Sequence, residues 1–327
     1  ISIKIDREER PDIDNVYMSV TQILTGRGGW PMTVIMTPEK EPFFAGTYFP
    51  KNRRGRQVGM MELLPNVKMY WDTKRDSLLK DAAKLTQRLK NSNNSSRSSE
   101  SLADNILDKT FSIFDNRFDA TYGGFGNAPK FPKPHDYLFL LKYYSRTKNS
   151  SALEMAEKSL KEMRKGGIYD QIGFGFHRYS TDKNWLVPHF EKMLYDQALL
   201  VHAYLEAYQI TRNQFYADVV HEVLEYVARD MTSTDGGFFS AEDADSQGEE
   251  GLFYLWTSSE LDKLLGESDS QLFQQIMNIE SNGNWNEGRR YGGTNIPHLK
   301  QSWEQLGNIH QTTGNALKSR YEKIREK

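Results

Sequence analysis

Residues 91–101 read NSNNSSRSSES, an unbroken polar run with no apolar side chain to anchor it. Such a stretch cannot bury enough surface to offset the entropy of ordering it, so it reads as a flexible linker. The chain is therefore expected to fold as two bodies, residues 1–90 and 102–327, each with its own core. At 327 residues, with 17 Phe, 17 Tyr and 6 Trp, there is enough apolar material for both.

The same sequence excludes several classes of function. A formal net charge of −2 provides no field to attract nucleic acid or an anionic membrane. No apolar run approaches the length of a bilayer span, and no signal peptide is visible. With no cysteine, these residues carry no disulfide, thiol nucleophile or thiolate metal site. A soluble, cytoplasmic protein is expected, without cofactor or metal.

In residues 1–90, ISIKID alternates as a strand, so the chain is expected to begin inside a domain. A helix follows, with Pro11 in its first turn and Gly26 at its end. The Gly-rich GRGGWPMTVIMTP and then EPFFAGTYFP read as two strands. Residues 59–90 can form covering helices, with Pro65 marking a break or a new start. Strand, helix, loop, Pro, strand, strand, helix is the order of the second half of a thioredoxin-like fold. On that reading the Trp30–Pro31 bond is cis, and Trp30 and Pro31 could hold an extended peptide client. The other reading is an ordinary trans proline in a glycine-rich turn.

The strings IKIDREERPDID, TGRGGWPM, TYFP, GGFGNAPKFPKP and WLVPHFEKMLYDQA together resemble the spermatogenesis-associated thioredoxin-like family. The resemblance runs from residue 1 to NIPHL at 295–299. It implies a thioredoxin-like domain followed by an α-helical toroid of the six-hairpin glycosidase and N-acylglucosamine epimerase type. Family members usually carry a cysteine pair just upstream of the position where this sequence begins, so the resemblance assigns no redox activity to these residues. The implied fold class is multidomain, α/β plus all-α: a truncated thioredoxin-like domain and an incomplete (α/α)6 toroid, since 102–327 is too short for six hairpins.

Helical periodicity beyond the linker supports that expectation. Helices are expected near 102–118, 135–146, 151–165, 188–211, 213–231 and 258–265. Loops built on GGF or GGI near 123, 166 and 236 separate the helix pairs. The segment 198–208 is apolar on nearly every side, as an inner helix would be. In 215–231, Phe215, Val219, Val223, Leu224 and Val227 form a stripe opposite Asp218, Glu222, Glu225 and Arg229. The final GNALKSRYEKIREK reads as an exposed basic helix.

Three motifs carry candidate chemistry. In WLVPHFEKMLYDQ, a helix from 188 would set His189 and Asp196 on one face and Glu191 and Tyr195 on another, at the mouth of a cavity. Alternatively these are ordinary first-turn residues. In GFGFHRYSTD, His177 could act as an acid/base group beside Arg178, or simply bond to backbone. In SAEDADSQGEEG, Glu242 and Asp243 could bind sugar hydroxyls or only form turns. Asp243, Asp245 and Gly248 mimic the start of a calcium loop, but Tyr254 occupies its twelfth position. The Gly-rich runs lack both G-x-G-x-x-G and a Walker lysine. Tyr169, Tyr179, Trp185 and Trp256 offer flat faces for sugar rings.

The functional expectation is a carbohydrate-processing or sugar-binding protein, an epimerase/isomerase or a glycoside hydrolase if it is an enzyme. His177 and His189 would be the acid/base pair, with Asp170, Arg178, Trp185, Glu191, Tyr195, Asp196, Glu242 and Asp243 around the ligand. Loops of a toroid open on one face, so His177, His189 and one of Glu242 or Asp243 are expected to share a concavity. The alternative is a non-catalytic module that handles peptides at Trp30 and Pro31.

Overall fold

The computed structural model describes residues 1–94, 105–285 and 292–327. Its contacts divide the chain into two units, Ile1–Leu102 and Ala103–Lys327. The polar run expected to be a linker is helical as far as Asn94, and its remaining residues lie outside those described.

The first unit is mixed α/β. Helix α1 (Pro11–Thr25) starts on Pro11 and ends on Gly26, which adopts the left-handed conformation at φ +75°. Strands β1 (Thr33–Met36) and β2 (Pro42–Gly46) form an antiparallel pair, followed by α2 (Met60–Thr73) and α3 (Arg75–Asn94). The core is small: Val20, Ala45 and Leu85, with Tyr17, Val34 and Leu89 packed on it. Two expectations fail here. ISIKID is not a strand, and Ile1 and Ile3 are exposed; among the described residues β1 and β2 pair only with each other, so that segment joins no ladder there. Nor does Pro65 break a helix. It sits within α2, and the interruption falls at Lys74. The Trp30–Pro31 bond is cis, as is Ala128–Pro129.

The second unit is predominantly helical. Helices α4 (Ile106–Arg117), α5 (Pro134–Thr147) and α6 (Ser150–Lys165) come first. A hairpin layer follows, with β3 (Tyr179–Ser180), β4 (Pro188–His189) and β5 (Lys192–Met193). Then come α7 (Leu194–Thr211) and α8 (Gln214–Asp230). Short strands β6 (Ala241–Glu242), β7 (Asp245–Ser246), β8 (Glu249–Glu250) and β9 (Trp256–Thr257) lead to α9 (Ser258–Leu265) and α10 (Glu267–Ile276). Strand β10 (Thr294–Asn295), α11 (Trp303–Ile309) and α12 (Gly314–Arg325) complete the described elements.

Helix α7 packs on both α5 and α8. Their shared core holds Leu141, Leu160 and Met163, with Leu138 and Leu153 partly buried against it. Apolar residues surround α7, and Leu199 and Leu205 remain exposed on its free side. In α8 the buried stripe is Tyr216, Val219, Val220, Val223 and Tyr226. Glu222, expected to face solvent, is buried in an ion pair with Arg164 at 2.9 Å and accepts the Tyr169 hydroxyl at 2.8 Å. A second core joins α9 and α10 to α11 and α12. The last helix is therefore no exposed appendage: Leu317, Tyr321 and Ile324 are buried, and the Tyr321 hydroxyl donates to Gln171 O at 2.7 Å.

Candidate functional site

The local structure around the WLVPHFEKM motif differs from the expected helix. Pro188–His189 pairs with Tyr179–Ser180, and Lys192–Met193 pairs with Ala241–Glu242, so α7 begins only at Leu194. Pro188 lacks an N–H, and the residues after it satisfy their backbone across strands instead of along a helix. Helical spacing therefore does not relate His189 to Asp196 or Glu191 to Tyr195. In extended backbone, neighbouring side chains face opposite ways. His189 and Phe190 consequently serve different surroundings.

On one side lies a buried polar cluster. Asp170 closes a tight turn, its Oδ1 accepting the N–H groups of Ile172 and Gly173 at 2.9 Å each. Gly175, at φ +81°, sits so close to the Tyr226 ring that an added Cβ would lie 2.6 Å from it. Lys192, almost wholly buried, donates to Asp170 Oδ2 at 2.9 Å and to Phe174 O at 2.8 Å. Its ammonium lies over the rings of Tyr226 and Tyr254, at 4.4 and 4.9 Å. Both tyrosine hydroxyls donate to Glu242 Oε2, at 2.7 and 3.4 Å. Burial pushes the Asp170 carboxyl up, but the Lys192 ammonium and the turn hydrogen bonds outweigh it and hold the group below its ordinary value.

His177 stands at the edge of this cluster, 1% exposed. Its Nδ1 is 3.0 Å from Phe190 O. A carbonyl only accepts, so Nδ1 carries the proton and Nε2 the lone pair. Burial, reinforced by the nearby Lys192 charge, pulls the imidazole down to about 3. The ring is neutral at physiological pH. A cavity of about 440 Å3 opens here, lined by Asp170, His177, Phe190, Tyr254, Trp256 and Glu260 among others.

On the other side, His189 Nδ1 lies 2.6 Å from Glu250 Oε1. The hairpin of β7 and β8, turning through Gln247 and Gly248 at positive φ, delivers that carboxylate. The imidazole stacks on Tyr179 with centroids 5.1 Å apart, and Tyr179 in turn contacts Phe131 at 4.7 Å. Arg178 bonds Glu191 at 2.8 Å, and Glu191 approaches His189 Nε2 to 3.9 Å. Arg178 also faces the half-exposed Tyr195 ring at 6.0 Å, and Asp196 is close enough to stabilise its charge. These side chains are partly exposed, so a ligand can reach them.

The structure therefore divides the predicted residues between two places. Arg178, His189, Glu191, Tyr195 and Asp196 assemble on the open side. Asp170, His177 and Glu242 belong to the buried cluster, and neither His189, Glu242 nor Asp243 lines the cavity with His177. The cavity that His177 lines is therefore not the shared concavity expected of the two histidines. Trp185 is no stacking platform: it is fully buried, and its indole N–H donates to Tyr122 O at 2.8 Å. Tyr169 is likewise in the core. Asp243 accepts the N–H of Asp245 within a turn. No group of His, Asp and Glu that could hold a metal ion occurs among the described residues.

Sequence reasoning missed Lys192 and Glu250. A lone lysine reads as surface, and EEG reads as a turn; only their distant pairing partners reveal them. In the first unit, Trp30 is half-exposed, its indole N–H donating to Asp14 at 3.0 Å under the Arg7 guanidinium. No helix among the described residues is long and apolar enough to cross a membrane.

Comparison with known proteins finds one family model and several relatives. The family model described as Thioredox_DsbH, protein of unknown function DUF255, matches residues 1–90. Human spermatogenesis-associated protein 20 is 44% identical over 285 residues, 82% of this chain and 36% of that protein. The mouse protein of the same name is 39% identical over 344 residues, 98% of this chain and 41% of that protein. Among solved structures, cellobiose 2-epimerase from Bacillus thermoamylovorans is similar at TM-score 0.39 and 12% identity, covering 68% of this chain and 66% of that one. The chain is thus homologous to the spermatogenesis-associated protein 20 proteins and spans about two-fifths of their length.

Proposed function

We propose that the open side of the hairpin layer binds a neutral sugar-like ligand and that His189 moves a proton on it. The observation that carries this reading is the His189–Glu250 contact of 2.6 Å in a partly exposed site. A carboxylate on Nδ1 fixes the tautomer and ring orientation and leaves Nε2 to exchange a proton with a ligand. Phe131 and Tyr179 supply apolar faces beside it, and the Arg178–Glu191 pair supplies a donor and an acceptor for hydroxyls.

The reaction class that suits one oriented imidazole is proton transfer next to a carbonyl, of the epimerase or isomerase type. Nε2 takes the proton from C2 of an open-chain aldose, and the C–H electron pair moves into an enediolate. Delivery of the proton to C1 on the same face, with the 2-hydroxyl proton passing to O1 through solvent, gives the ketose; return to C2 gives the epimer only when the enediolate turns its other face to Nε2. His177, neutral and with a strongly depressed pKa, is a poor base and takes no part.

The test is deuterium exchange. The chain is incubated in D2O with aldoses, cellobiose and mannose included, and C2 labelling is followed by NMR. Labelling lost in His189→Ala and reduced at least about tenfold in Glu250→Gln is expected. The reading fails if no aldose is labelled and none raises the Tm, or if His189→Ala labels as fast as the parent chain.

A further inference from the structure

The cavity behind the hairpin layer is lined by Phe190, whereas the neighbouring His189 is engaged with Glu250. At about 440 Å3 it falls within the range of small-molecule sites. The charged groups of its lining already have partners. Asp170 holds the Lys192 ammonium and two turn N–H groups. Glu260 Oε2 accepts the N–H and the hydroxyl of Thr257 at the start of α9. With Lys192 in place, a second cation against this wall would be repelled. The hydroxyls of Tyr169 and Tyr254 donate to Glu222 and Glu242, and the Gln171 amide bonds Arg164.

His177 is the exception. Its Nδ1 proton goes to Phe190 O, which leaves the unprotonated Nε2 as an acceptor. Nε2 meets no partner among the described residues, yet it is not a sealed orphan, so it opens on the cavity that the ring lines. The walls around it are apolar: Phe190, Leu252, Trp256 and Ile296, with Phe253, 73% exposed, at the mouth. The Tyr254 ring is already engaged, by the Lys192 ammonium at 4.9 Å and by stacking on Phe190 at 5.7 Å. Trp256 and Phe253 are thus the platforms left for a flat molecule. An anion or an ether would set lone pair against lone pair at Nε2. A polyol would bury hydroxyls against carbon, where they lose their water without gaining partners.

We propose that this cavity binds a neutral, flat aromatic molecule carrying one hydrogen-bond donor, of the indole or phenol class. The donor meets His177 Nε2, Trp256 holds the ring, and Phe253 covers it at the mouth. Nothing in this site depends on the proton-transfer chemistry of His189.

Calorimetric titration of the whole chain with indole tests the proposal. Benzofuran is the counterpart, of the same shape but with an acceptor oxygen in place of the indole N–H. Indole should bind at least about tenfold more tightly than benzofuran. Phe253→Ala, at an exposed position that leaves the core intact, should weaken indole binding by roughly three- to tenfold. His189→Ala should bind as the parent does. In nitrogen-15 NMR of the parent chain, the His177 Nε2 resonance, assigned through its ring protons, should move to lower frequency with indole as it accepts the bond. Benzofuran should leave it in place. Equal binding of benzofuran, no binding of indole, an unmoved Nε2 resonance, unchanged binding in Phe253→Ala, or loss of binding in His189→Ala would each overturn the assignment.

Discussion

His177 and His189 lie on one hairpin, yet their surroundings give them opposite chemistry. His177 trades water for the edges of Phe190 and Tyr254, so protonation is resisted until about pH 3. In the unfolded chain the same imidazole takes up a proton near pH 6.5. The unfolded state therefore binds more protons across that interval, and stability is full above about 6.5 and falls as pH drops toward 3. Asp170 acts in a lower window: its depressed carboxyl contributes stability above the ordinary carboxylate range, and this is lost as pH falls through its folded value. Urea unfolding between pH 7 and 4.5 should show the histidine contribution. His177→Gln should flatten that profile by up to about 1.4 kcal/mol per pH unit, the linkage of one proton. An unchanged slope would mean that the ring already titrates in the fold. Histidine as a residue type was legible in the sequence, but burial was not. GFGFHR alternates as a strand and gives no sign of which face closes.

At the scale of elements, helices with a one-sided stripe were legible, and α5, α6 and α8 lie within a residue or two of their expected bounds. The start of α7 was not, because Lys192–Met193 finds its partner in Ala241–Glu242, beyond two intervening helices. Periodicity reports only local order and cannot show such pairing. The turn from Asp170 to Gly175 is the element on which the buried cluster depends. Phe174 and Gly175 both have positive φ, and the missing Cβ of Gly175 lets the Tyr226 ring of α8 close over Lys192. Gly175→Ala would combine a strained backbone with a clash against a ring already bonded to Glu242. The expected loss is about 2–4 kcal/mol, measured by denaturant unfolding. Gly236→Ala, also at positive φ but with open space around its Cβ, should lose only the backbone part, about 1 kcal/mol. Equal losses in the two variants would remove the steric role of Tyr226.

For the whole molecule, the two units differ in how completely each fills its own core. Ala103–Lys327 holds three clusters of buried side chains, and one of them, Phe190 with Ala244, Leu255 and Ile296, underlies the hairpin layer that carries both candidate sites. Its last helix reaches back to that layer, Arg325 donating to Ile172 O at 2.9 Å. Ile1–Leu102 buries little by comparison, and Trp30, Met61, Leu64, Met69 and Tyr70 are among its exposed apolar side chains. Stability grows with apolar area removed from water, so the second unit should carry most of the cooperativity. Residues 105–327 produced alone are expected to unfold in one transition close to the main transition of the whole chain. Residues 1–94 alone are expected to show a broad, weak transition and to bind a hydrophobic dye such as ANS. Circular dichroism melts of the two pieces and the whole chain decide the matter. If 105–327 unfolds without cooperativity while the whole chain does not, the second unit depends on the first, and the polar run at 91–101 does not separate two independent folding bodies.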